Sequence, residues 1–524
     1  MAENKQISGK NGAVGAGPGN SEQAGLRMLK AGGNAVDAGV ASILALSVTD
    51  HNAFCFGGEV PMLIYIAETK KVVAVSGQGP APKKANLQMF IGQKVIPQDG
   101  ILSAAIPAVL GTCILALDKF GTMSFAQVVD PTLEILAVGD VEWYPRLEKT
   151  LERLVEVEKN EGGENREKGL EAVRRYFYEG KMAKELVLWN QSMGGLFTKG
   201  DMNSYKARVE KPVHGTYRGY DVYKCGFWTQ GPALIQALNL LEEYDLASMK
   251  PDDPEHIHLL VESLKLAFAD RDTYYADPDF ADIPSRTLLS KKYAAMRREL
   301  IDPDKASLKH QPGDPFKNKP VNYKALKDFG IESNPEDTTT CVTADKMGNM
   351  FVATPSGWGS TVPPGELGIV LGTRLISLNL WEGHPNVLEP GKRPRITLSP
   401  TLVMKEEKPF MVVSVAGGDQ QDQTALQMLV NVIDHEMQPQ ESADMVRFGT
   451  NHLIGSFSQT PIKPADLVME DSTPDETLKA LKEKGHNVNT TPVFPSQTVL
   501  IKWDEDGLMK TGGDLGKNRS VAVY

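Results

Sequence analysis

No run rich in Pro, Gly or Ser and no low-complexity segment divides the 524 residues of this chain. A chain of that length ordinarily forms two or more domains joined by such linkers, and their absence leaves a large single core open as an alternative. The 41% hydrophobic and 23% charged residues are those of a globular protein, which sets disorder aside.

The formal charge of −11 is built from basic residues interspersed among acidic ones. Such a surface has no nucleic-acid footprint, and small molecules are the expected partners. Cys55, Cys113, Cys225 and Cys341 are scattered without a Cys-x-x-Cys pair, against a disulfide framework and against a zinc site; buried reduced thiols are expected. The start, Met-Ala-Glu-Asn-Lys-Gln-Ile-Ser, has no apolar run of the signal-peptide kind. The longest apolar stretch, Ala35 to Val48, contains Asp37 and is too short to span a bilayer. No membrane partner and a cytoplasmic location are the expectations.

Apolar spacing predicts a helix from Ser21, as N-cap, through Lys30, a break at Gly32-Gly33, and a second helix over Ala35 to Val48. Pro61 to Ile66 and Lys71 to Val75 read as a strand pair joined by a charged turn, and the charge-dense stretch Leu147 to Tyr178 as solvated helix faces. Towards the end come strands at Thr401 to Met404 and Phe410 to Val415. Ala416-Gly417-Gly418-Asp419 follows, then a helix with Ala425, Met428, Leu429, Val432 and Ile433 on one stripe. The glycine pair therefore falls at a strand-to-helix junction. Backbone N–H groups there are aimed to receive the negative oxygen that develops in acyl transfer, although a plain tight turn uses the same residues.

Several constellations fail on inspection. Gly15-Ala16-Gly17-Pro18-Gly19-Asn20 lacks the third glycine of a dinucleotide loop, no Gly-x-Ser-x-Gly elbow surrounds a serine, and no Walker run occurs. His256 and His258 lie in a predicted helix, Pro254 to Ala269, where a spacing of two points them to different faces. No metal and no cofactor is expected.

The segment from Asp337-Thr338-Thr339-Thr340-Cys341 to Gly348-Asn349 carries the chemistry. Taken alone it reads as a hairpin: β-branched residues Thr338 to Thr343, a Lys-Met-Gly-Asn turn, and a return over Met350 to Thr354. A threonine hydroxyl is a poor nucleophile without a nearby base. If the Asp337–Thr338 bond were cut, the freed α-amine of Thr338, with an ordinary pKa of ~7.7–8.0, would be that base.

Thr338-Thr339, Asp345 and Gly348-Asn349 resemble the self-cleavage segment of γ-glutamyltransferase-family precursors. The likeness runs from about Gly12 to Val521 and includes Gly32-Gly33-Asn34-Ala35-Val36-Asp37-Ala38, Gly215 to Tyr220, Leu264 to Arg271, Pro390-Gly391-Lys392-Arg393-Pro394 with Ser399-Pro400, and Gly417-Gly418. The resemblance implies a four-layer αββα sandwich of the N-terminal-nucleophile (Ntn) hydrolase type. It would be built as one structural domain from a large subunit, 1–337, and a small subunit, 338–524. It further implies Thr338 as nucleophile, Thr339 and Ser356 orienting it, and Gly417 and Gly418 as oxyanion hole. A homo-oligomer of such heterodimers is left open.

The γ-glutamyl contacts of that family do not carry over. Its carboxylate-gripping arginine falls on Gln78, its amine-binding aspartate on Ser377, its serine pair on Ile396 and Thr397, and an asparagine on Trp358. Loss of a bidentate cation and of the amine's partner should abolish selective glutamyl binding. Gly368 to Arg374, Gly383-His384-Pro385-Asn386 and Gly417 to Gln423 resemble instead the branch of cephalosporin acylase-like proteins and oxamate amidohydrolases. Arg374 would bind a substrate carboxylate or oxalyl oxygen, or order its loop by an ion pair. Trp358 would wall the pocket, or belong to the core. The expectation is a self-processing threonine amidohydrolase acting on a small non-glutamyl amide. A γ-glutamyl hydrolase or transferase with altered contacts, and an unprocessed inactive paralogue acting as a binding protein, are its rivals.

Overall fold

The computed structural model describes residues 7–316, 338–357, 359, 361–515 and 518–524. Two seven-stranded sheets stack face to face. One contains, in spatial order, Ile7–Gly9, Met509–Gly513, Gln497–Trp503, Lys408–Ala416, Thr401–Lys405, Tyr220–Lys224 and Val213–Tyr217. The other runs Ser520–Val523, Gly12–Ala16, Cys341–Asp345, Met350–Ala353, Met62–Ile66, Lys71–Val75 and Val209–Glu210. Each sheet takes strands from both sides of Thr338, and their paired strands are antiparallel.

Alternation along the strands explains the layers, because period-two side chains give each sheet two apolar faces. Val342, Ala344 and Val352 meet Leu402, Val412 and Ile501 between the sheets. Val14, Ile64 and Phe351 point outward onto the helices Ala35–Thr49 and Val109–Phe120, while Val413, Val415 and Leu500 pack under Pro232–Leu241, Pro254–Tyr274 and Gln421–Ile433. The result is the αββα sandwich, in which the second sheet places Cys341–Asp345 between two neighbours and well away from an edge.

Two expected boundaries shift. Ser21 is the first helical residue of Ser21–Lys30, not its cap; its hydroxyl donates back to the Gly17 and Pro18 carbonyls, and Asn20 precedes the helix in a left-handed conformation. The strand expected from Thr338 begins at Cys341, because the first three threonines run off the end of the sheet. The helix after the glycine pair is Gln421–Ile433, and all four cysteines are buried and unpaired.

Two of the motifs turn out to be one structure. The Asp345 carboxylate accepts from the N–H groups of Met347 and Asn349, and also from Ala35 N–H at 2.9 Å. Ala35 opens the helix Ala35–Thr49, whose own cap is a box of Asn34 and Asp37. A carboxylate at a helix N-terminus is favourable, so the turn after the threonine strand is pinned to that helix.

Candidate active site

Thr338 sits at the open end of the central strand Cys341–Asp345, 2% exposed, with a backbone φ of +79°. A β-branched residue in that region is a true outlier, and such strain costs about 1–3 kcal/mol and persists only where surroundings over-determine it. Here the surroundings do so: Thr338 N–H donates to Ala53 O at 3.2 Å and Thr339 N–H to Pro355 O at 2.9 Å.

The Thr338 hydroxyl donates to Ser356 Oγ at 3.5 Å and accepts from Gln421 Nε2 at 3.3 Å. Ser356 is itself anchored, since its Oγ accepts from Arg374 Nη2 at 2.5 Å and its N–H donates to Glu59 O at 2.9 Å. Arg374 Nε pairs with Glu59 Oε1 at 2.5 Å, both side chains 3% exposed. Of the two readings of Arg374, the loop-ordering ion pair is the one present: its charge is matched within the protein, and the guanidinium lies over the Phe457 ring. The expected role of Thr339 also changes, because its buried hydroxyl has no hydrogen-bond partner among the described residues and lies against Gly17, where an added Cβ would come within 2.3 Å of it.

Gly417 (φ +128°) and Gly418 (φ +54°) join the strand Lys408–Ala416 to the helix Gln421–Ile433 through one tight turn. Glycine is required at 417, where a Cβ would meet Pro495 O at 2.4 Å in a conformation that side chains avoid. The turn is braced from outside the helix. Asp419 takes Arg271 Nη1 at 2.5 Å, and the same nitrogen donates to Gln230 Oε1, whose amide reaches Gly418 O at 3.4 Å. Arg271 also holds Asp272: burial pushes that carboxyl up, but Arg271 and then His310 outweigh it and bring it to about 2. The Leu264 to Arg271 motif thus braces the glycine turn from a distance.

The expected substrate contacts are buried, and several are unmatched. Gln78 donates to Gly79 O at 2.7 Å, while its Oε1, Ser377 Oγ and Thr397 Oγ1 have no hydrogen-bond partner among the described residues. Ile396 is held by backbone bonds to Trp228 O and from Gln230 N–H. Asp337 and Trp358 lie outside the described residues.

Sequence reading missed Glu59, Gln421 and Arg395. Glu59 had a signal, an acid inside Cys55-Phe56-Gly57-Gly58-Glu59-Val60, since a buried charge needs a partner. Arg395 follows the Pro390 motif; burial, then Arg271, lower it to about 10, and its Nη1 donates to Ser456 Oγ at 2.6 Å. Gln421 had none, because nothing in a run of glutamines tells which one faces a threonine 83 positions away.

His256 and His258 do face different ways, toward His435 and His486 respectively. A cluster of another composition was overlooked: His258, Glu262 and His486 bring one ligand atom each within 4.8 Å of one another, the arrangement among the described residues that suits a metal ion. Glu262 there is already paired with Lys265 at 2.5 Å. Among the described residues no helix is long and apolar enough to cross a membrane.

The chain matches the family model "Gamma-glutamyltranspeptidase" over residues 21–159 and 134–524. It is 31% identical to the Glutathione hydrolase-like YwrD proenzyme of Bacillus subtilis (strain 168), over 94% of this chain and 95% of that one. It is 28% identical to the Acylase ACY 1 proenzyme of Pseudomonas sp. (strain SE83), over 97% and 92%. Cephalosporin acylase from Bacillus halodurans superposes with a TM-score of 0.84 over 100% of this chain and 98% of that one, at 23% identity, and so shares the fold.

Proposed function

The chain belongs to the gamma-glutamyltranspeptidase family of amide-bond hydrolases, and from that premise we propose that it is a self-processing threonine amidohydrolase of the acylase kind. The observation that carries the reading is Thr338 itself, buried, held at φ +79°, with its hydroxyl placed between Ser356 and Gln421.

Strain next to the Asp337–Thr338 bond favours attack by Thr338 Oγ on the preceding carbonyl. The bond from Oγ to that carbon forms, the C–N bond breaks, and the hydroxyl proton passes to the departing nitrogen. Water then cleaves the ester, leaving Asp337 as a carboxylate and Thr338 with a free amine and its hydroxyl restored. That amine is the general base for the second use of the same oxygen, on an external amide, while Gly417 and Gly418 N–H groups take the oxyanion. The two pieces, 1–337 and 338–524, stay together because each sheet contains strands from both. The proenzyme names of the relatives support such a precursor.

The substrate in this reading is a small non-glutamyl amide. Arg374 is committed to Glu59, and Gln78 and Ser377 supply no charge where a glutamyl group needs both signs. The acylase relative supports this choice, whereas the glutathione hydrolase-like relative favours a γ-glutamyl substrate held by other residues. Intact-mass measurement of the purified protein tests the processing: fragments split before Thr338 are expected, and a second chain starting elsewhere refutes it. An amide panel including γ-glutamyl-p-nitroanilide then separates the two substrates, since rapid release of p-nitroaniline would overturn the non-glutamyl assignment.

A further inference from the structure

We infer that Gln421 is a catalytic residue, the fixed donor that orients and activates Thr338 Oγ. The inference rests on the reading of Thr338 as nucleophile and adds to it a group from the other sheet's helical layer. Gln421 is fully buried at the first turn of Gln421–Ile433, immediately after the glycine turn.

The orientation of its amide is dictated by chemistry. Gln421 Oε1 accepts from the backbone N–H of Ser399 at 3.1 Å. An N–H can meet only the oxygen end, so the NH2 end faces Thr338 Oγ. Ser399 cannot drift, for its hydroxyl donates to Asp422 Oδ1 at 2.7 Å and its carbonyl accepts from Lys224 Nζ at 2.9 Å. Lys224 pairs with Asp422 at 2.9 Å, both side chains 0% exposed, and also donates to Thr401 Oγ1. A buried ion pair with so many partners is expensive to move.

A threonine hydroxyl has one proton and two lone pairs. The proton points to Ser356 and one lone pair accepts from Gln421, so a single lone pair is left to form the new bond. As negative charge gathers on Oγ when its proton leaves, the Gln421 N–H strengthens, which is the condition for lowering a barrier rather than tightening a ground state. The 3.3 Å separation is long, as catalytic contacts commonly are before the reacting group is in place. Residues 417–421 would thus supply both the oxyanion donors and the donor to the nucleophile.

The precursor's own splitting provides an assay that needs no knowledge of the substrate. Freshly translated full-length chain would be followed on denaturing gels from pH 5 to pH 9, for wild type, Thr338→Ala, Gln421→Met and Gln421→Glu. Gln421→Met removes the donor at similar volume and should split roughly 10- to 100-fold more slowly at every pH. Gln421→Glu should be slow at neutral pH, where the introduced carboxylate can only accept. Its rate relative to wild type should rise as the pH falls and the carboxyl gains a proton to donate. Protonation also relieves the cost of burying a carboxylate, so melting temperature is read beside the rate: recovery of splitting at an unchanged melting temperature supports the donor role, and recovery that merely tracks melting temperature overturns it. Splitting of Gln421→Met at the wild-type rate, or a flat ratio for Gln421→Glu, overturns the inference while leaving Thr338 intact. A wild-type chain that never splits, or a Thr338→Ala chain that does, overturns both.

Discussion

The surroundings of Thr338 and the positions where substrate contacts are expected differ in how far their buried polar atoms are paired. Around Thr338 the polar side chains are largely paired, Ser356 with Arg374, Arg374 with Glu59, Gln421 with Ser399 and Asp422 with Lys224, the hydroxyl of Thr339 being an exception. At the expected contacts, Gln78 Oε1, Ser377 Oγ and Thr397 Oγ1 are buried without a partner among the described residues. An unsatisfied buried group costs about 1–3 kcal/mol, so each of these three atoms favours a further polar partner. In the proposed function this difference is a division of labour, with the Thr338 oxygen pre-organised by the protein and recognition completed by the ligand.

That contrast can be broken by mutation. Thr338→Ala should abolish precursor splitting and lower amide turnover by at least about 10³-fold, read by gel and by product release; substantial turnover would remove the nucleophile from the scheme. Gly417→Val, which drives a branched side chain into Pro495 O, should cost about 10²- to 10³-fold in turnover of whatever protein folds. Glu59→Gln removes the carboxylate charge that pairs with Arg374 Nε in the buried site. It should lower unfolding free energy by roughly 3–5 kcal/mol in denaturant titration and slow splitting through Ser356.

Acid offers a sharper cut between scaffold and site. Burial lowers His256 and His384 to about 4 each, while an unfolded chain binds their protons near pH 6.5. Because folded values lie below unfolded ones, their stabilisation is complete above about pH 6.5 and is lost as pH falls toward 4, at about 1.4 kcal/mol per pH unit per histidine. Melting temperature should therefore fall in that window. Activity lost there without a matching fall in melting temperature belongs to the nucleophile. The smallest effect is expected at the contacts: Ser377→Ala should change stability by about 1 kcal/mol or less and leave splitting untouched, while shifting KM. An equal slowing of splitting would show that the two regions are not separate.

Much of this arrangement was legible in order along the chain. The helix over Ala35–Thr49, the hairpin Met62–Val75 and the strand-turn-helix around Gly417 follow from apolar periodicity and glycine placement. The start of the threonine strand was misplaced because β-propensity runs on through Thr338, whereas the hydrogen bonds to Ala53 and Pro355 pull the first threonines out of the sheet. Arg374 had two readings until a buried carboxylate 315 positions away took its charge.

The sequence by itself determined the family and the layered fold and singled out Thr338 as the proposed nucleophile, because those are written in local periodicity and in motifs whose residues are neighbours in the chain. Tertiary structure alone decided that Gln421, Glu59 and Arg374 converge on that oxygen and that Gln78, Ser377 and Thr397 stay unmatched. Hydrogen bonds are satisfied in space, and no spacing along a chain reveals which buried group will meet which.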